Sequence, residues 1–62
     1  MRLAKDFKVG DIYDDNGTMV ICTQIINDRV YFADVEFDEN DEPQPMAGTE
    51  NWLTSNELNN LK

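Results

Sequence analysis

The chain has 62 residues, with 13 acidic side chains against five basic ones, no histidine and a net charge of -8 at neutral pH. This length allows one domain, residues 1–62, with a thin core, and one cysteine without histidine excludes an internal disulfide and a structural zinc site. The charge argues against nucleic acid as a direct ligand, because an acidic body repels phosphate.

The first eight residues hold Arg2, Lys5 and Lys8 against Asp6, a balance of +2, whereas residues 9 to 62 hold Arg29 and Lys62 against twelve acids. The start contains no apolar run of signal-peptide length, and no stretch of the chain is long and apolar enough to span a bilayer. With a free cysteine, this points to a reducing cytoplasm and away from a membrane.

The middle reads as a meander of strands. Val9 to Tyr13 leads into Asp14-Asp15-Asn16-Gly17, whose Asn-Gly step supplies the positive φ angles of a tight hairpin turn, and Thr18 to Ile26 follows with β-branched residues. Cys22 within it reads as a small buried hydrophobe. Asn27-Asp28 is the next turn and Arg29 to Phe37 the third strand. Asp38 to Gly48, with Pro43 and Pro45, cannot continue a central strand, and a further strand falls before or within Glu50 to Leu53.

A two-residue turn at Asn27-Asp28 sets Ile26 opposite Arg29. Uninterrupted pairing then places Gln24 with Tyr31, Cys22 with Ala33, Val20 with Val35 and Thr18 with Phe37 on one face, the expected core. The other face carries Ile25 with Val30, Thr23 with Phe32, Ile21 with Asp34 and Met19 with Glu36, and runs from apolar to acidic. In the tail, Thr54-Ser55-Asn56-Glu57 matches a capping box, so a short helix should carry Leu58 and Leu61 on one side. Trp52 is expected to cap the core beside those leucines.

These elements predict an all-β fold, a small SH3-like or OB-like antiparallel barrel of four to five strands with a short C-terminal helix. The opening Phe7-Lys8-Val9-Gly10-Asp11-Ile12-Tyr13, the Asn16-Gly17-Thr18 turn and the closing Trp52-Leu53-Thr54-Ser55-Asn56-Glu57-Leu58 resemble the small SH3-like proteins encoded by bacteriophages and other mobile elements. The resemblance implies that fold and a phage-type origin. It carries over no functional residue.

Catalysis lacks its parts: there is no histidine base, no Gly-x-Ser-x-Gly and no glycine-rich phosphate loop, so the chain is not expected to be an enzyme or to need a cofactor. Asp38-Glu39-Asn40-Asp41-Glu42 has the oxygen spacing of half a calcium loop. Pro43 and Gln44 stand where that loop needs its glycine, and no Glu closes it, so no metal site is expected.

Six of the nine residues from Asp34 to Glu42 are acidic. Such runs serve solubility or discourage edge pairing, but carboxylates spaced along a strand also follow the charge spacing of a nucleic-acid backbone. The candidate partner-binding residues are Asp34, Glu36, Asp38, Glu39, Asp41 and Glu42, with Asp14 and Asp15 from the first turn and Phe32 and Tyr13 as exposed aromatic anchors. The function this suggests is an acidic protein-binding module. In its sharpest form it is an inhibitor that occupies a basic nucleic-acid-binding site on a larger protein, such as a nucleic-acid-processing or defence enzyme. The runner-up is a structural or accessory module that self-associates, as a homodimer or larger assembly, through its strand edges and the second face around Ile25, Val30 and Phe32.

Overall fold

The computed structural model describes residues 3–62, so Arg2 of the basic start lies outside the described residues. A 3-10 turn at Ala4–Asp6 precedes β1 (Ile12–Asp15), β2 (Thr18–Ile26), β3 (Arg29–Phe37), β4 (Pro43–Pro45), β5 (Asn51–Leu53) and the helix α1 (Ser55–Asn59). Every pairing is antiparallel: β1 with β2, β2 with β3, and β3 in two stretches, Val30–Phe32 with β5 and Val35–Phe37 with β4. The fold is mainly β, as the turns and β-branched runs predict, but the sheet stays open because β1 and β5 do not pair with each other. No helix among the described residues is long and apolar enough to cross a membrane.

Both hairpin turns stand where the sequence places them. Asp15 opposes Thr18, leaving Asn16 and Gly17 as turn residues with φ of 53° and 93°. Two successive positive φ angles define the turn whose twist matches that of the strands, and Gly17 adopts its angle without a Cβ penalty. The Asp14 carboxylate accepts the Gly17 N–H at 2.7 Å, which locks the turn. At the second turn Asn27 takes φ 55°, and Ile26 opposes Arg29.

Beyond the second turn the register departs from uninterrupted pairing. Gln24 opposes Tyr31 as expected, but Cys22 opposes Phe32, Ile21 opposes Ala33 and Val20 opposes Asp34, so Thr23 is the extra residue of a β-bulge. A bulge shifts all later pairs by one and exchanges the faces. The reason lies in β2: Val20 and Cys22 point one way and Ile25 must join them, a spacing of three that alternation cannot supply. The hydroxyl of Thr23 then donates to the Glu50 carboxylate instead of entering the core.

The core is therefore not the face expected from simple alternation. Val20 and Cys22 are buried with Val30 and Phe32, joined by Phe7, Leu58 and Leu61 and flanked by Tyr13, Ile25 and Leu53. Phe7, Tyr13 and Phe32 meet edge-to-face with ring centroids 5.2 to 5.8 Å apart, each pair adding about 0.5–1.5 kcal/mol beyond its area burial. Ala33 is buried on the opposite face with Ile21, where Pro45 to Gly48 pass beside it. Val35 is half-buried and paired with Pro45.

Trp52 does not cap the core. It pairs with Tyr31, is 41% exposed and lies under the Arg29 guanidinium, 4.8 Å from ring centroid to Cζ, while its neighbour Leu53 turns inward beside Val30. The capping box forms as predicted: the Thr54 hydroxyl accepts the Glu57 N–H at 3.3 Å, and the Glu57 carboxylate accepts the Thr54 N–H at 3.0 Å. It seats Leu58 and Leu61 across the open side of the sheet. Replacing Thr54 with Ala should cost about 1 kcal/mol, read as a lower urea midpoint; an unchanged midpoint would show that the two leucines hold the helix without its cap.

Each outer strand has its edge occupied or blunted. The Asp14 N–H donates to the Lys62 carbonyl at 2.9 Å, and the Lys62 N–H returns the bond at 3.0 Å, covering β1. In β4, Pro43 and Pro45 have no N–H to offer. On β5 the Trp52 N–H donates to the Asn51 side chain at 3.0 Å.

Candidate protein-binding surface

The acidic residues collect at one end of the sheet. Because β2 and β3 run antiparallel, the Asp15–Thr18 turn and the Asp34–Phe37 end of β3 lie together, with the Asn27–Asp28 turn, Arg29 and Trp52 at the other end. No basic residue occurs from Val30 to Leu61. The register divides the acids at this end into two groups.

The first group stands on a two-stranded ribbon. From Val35 onward β3 pairs only with β4, and the turn between them is ordered. The Asp38 carboxylate accepts the N–H groups of Asn40 at 2.8 Å and Glu42 at 3.0 Å, and the backbone N–H of Asp38 donates to the Glu42 carbonyl at 3.0 Å. Asp41 adopts φ 61°, the left-handed conformation that Asp tolerates better than most residues. The acidic run is thus a hairpin tip, and Asp38 has a structural task in it. Glu36, Glu39 and Glu42 are exposed, with Glu36 paired to Gln44.

The second group lines two shallow depressions beside the ribbon. Asp15, Asp34, Thr49, Asn51 and Glu57 border a hollow of about 240 Å³ floored by Val20 and Phe32. Asp14, Asp15, Asn60 and Lys62 border a larger one of about 580 Å³ that shares Asp15 and Glu57. Asp34 is half-buried, and its N–H donates to the Thr49 hydroxyl at 2.9 Å. Among the described residues, no three His, Cys, Asp or Glu side chains converge to hold a metal ion.

The two aromatic anchors expected from the sequence are corrected. Phe32 is a core residue, only 3% exposed, and Tyr13 is half-buried with its ring packed against Phe32 and Phe7, so neither is an exposed anchor. The bulge that brings Phe32 inward leaves Phe37 outside, 57% exposed between Glu36 and Asp38. Glu57 likewise joins the acidic end only through the placement of the helix. Cys22 is buried and free; burial pushes its thiol above the ordinary range and the nearby Asp11 charge adds to this, against a backbone hydrogen bond from Gln24 that lowers it. Held protonated and out of solvent, it has little nucleophilic character.

In comparisons with known proteins, the chain matches no protein family, no curated protein and no solved structure.

Proposed function

We propose that this protein is an acidic binding module that occupies a basic, nucleic-acid-binding site on a larger protein, acting as an inhibitor of the kind phages direct at host or defence enzymes. The observation that carries this reading is the ordered ribbon: its carboxylates project from a hydrogen-bonded hairpin, at one end of the molecule, with no cation between residues 30 and 61. Along β3, Asp34 and Glu36 fall two residues apart on one face, about 7 Å, near the axial rise of two nucleotides on one strand. Acidic side chains carried on an ordered hairpin backbone lose less freedom on binding than those on a mobile loop.

Self-association has less to work with. The second face that would have mediated it, around Ile25, Val30 and Phe32, is the core, and the edges of β1, β4 and β5 are covered or lack donors.

The test is salt dependence with a DNA competitor. The immobilised protein should retain a basic protein from bacterial lysate at low salt and release it early in a salt gradient, and duplex DNA should displace that protein. A retained protein that withstands moderate salt and ignores DNA would rule the reading out.

A further inference from the structure

The ribbon carries an apolar side as well as an acidic one. Along β3 the alternation that puts Asp34 and Glu36 on one face puts Val35 and Phe37 on the other, and their partners across the ribbon are Pro45 and Pro43. Phe37 is the most exposed aromatic of the described residues, and it sits at the end of the ribbon, beyond the last β2 pair at Val20 and Asp34. An exposed aromatic of this size is a large apolar surface left in water. Burying it on a partner is favourable, and hot spots of protein interfaces are commonly such anchors, sheltered by a polar rim.

Charge decides what can cover it. The hairpin tip next to Phe37 carries Asp38, Glu39, Asp41 and Glu42, and the whole chain has a net charge of -8, so a second copy or an anionic lipid surface approaching this end of the ribbon meets like charge. A surface that offers an apolar pocket with Lys or Arg at its mouth meets both requirements.

We propose that the β3–β4 ribbon is an insertion finger in which Phe37 fills an apolar pocket inside a cation-rimmed protein cleft while Glu36, Glu39 and Glu42 pair with the rim. The proposal rests on the acidic-module reading and adds an anchor to it. The anchor supplies slow dissociation, which exposed charge pairs alone do not give at physiological salt. It also separates a protein cleft from a plain polycation.

Two synthetic peptides of equal length and charge test it, one combining Lys with Leu and the other Lys with Ser. Wild-type protein should bind the Lys/Leu peptide about tenfold more tightly than the Lys/Ser peptide at moderate salt. In Phe37→Ser that advantage should disappear with the Lys/Ser affinity unchanged, Phe37→Trp should keep it, and NMR shifts should centre on Val35, Phe37 and Pro43. If Phe37→Ser binds both peptides like wild type while reversal of the three glutamates abolishes binding, the anchor is overturned and the acidic reading stands. Wild-type affinity in the reversed variant overturns both. A concentration-dependent dimer of wild type that Phe37→Ser abolishes in sedimentation would assign the face to a second copy and overturn the proposal.

Discussion

Replacing Phe32 with Ala should cost about 3 to 5 kcal/mol, comparable to the whole stability that a core this small supplies. Phe32 is 3% exposed and contacts Phe7 and Tyr13 edge-to-face, so truncation removes two aromatic contacts and leaves a void at the centre of the cluster. The measurement is a urea titration followed by circular dichroism, in which the variant should lack a folded baseline at room temperature. Phe37→Ala in the same assay should move stability by no more than about 0.5 kcal/mol, because its side chain is largely in water. The pair is diagnostic. Uninterrupted pairing through Thr23 would put Phe37 on the core face and Phe32 on the other, and would reverse the two results.

Reversing Glu36, Glu39 and Glu42 to Lys should abolish capture of a basic partner while the melting temperature stays within a few degrees of wild type. These three carboxylates are exposed, and exposed charges are individually worth little to stability. Asp38 and Asp41 are left unchanged because one holds the turn through its carboxylate and the other occupies the left-handed position. Each reversal changes the charge by two, so the net charge moves from -8 to -2. Loss should appear mainly as association slowed by about tenfold or more, since complementary charge acts on the encounter. A variant that associates as fast as wild type would remove the ribbon from the interface.

Local chemistry made much of this fold legible. Asn16-Gly17 and Asn27-Asp28 announce their turns because few residues accept positive φ, and Thr54 with Glu57 announces the helix start because both capping groups lie within four residues. The bulge was harder to read. Its signal, Val20 and Cys22 followed by Ile25, is a break in alternation that also fits a strand with two apolar faces, and Phe7, Leu58 and Leu61 decide between these from far away in the chain. The candidate site inherits that difficulty: the acids were visible as a run, but whether Phe32 or Phe37 accompanies them depends on one inserted residue. The order of the Asp38–Glu42 turn was hidden for a different reason, since an Asp that folds back on its own backbone looks the same in sequence as one that faces solvent.

The bonds between Asp14 and Lys62 bear on how the chain reaches this state. The β1–β2 and β2–β3 hairpins join residues near in sequence and can form early, whereas closing the β1 edge through Asp14 and Lys62 and filling the core with Leu58 and Leu61 joins segments far apart in sequence. Contacts of such long sequence separation slow folding, because their loop entropy is lost before the contact is gained. On the ribosome, the meander would emerge with its apolar face and outer edge uncovered until residues 54 to 62 followed, the interval in which unpaired strands are most prone to aggregate. The blocked edges of β4 and β5 shorten the list of surfaces exposed to that risk.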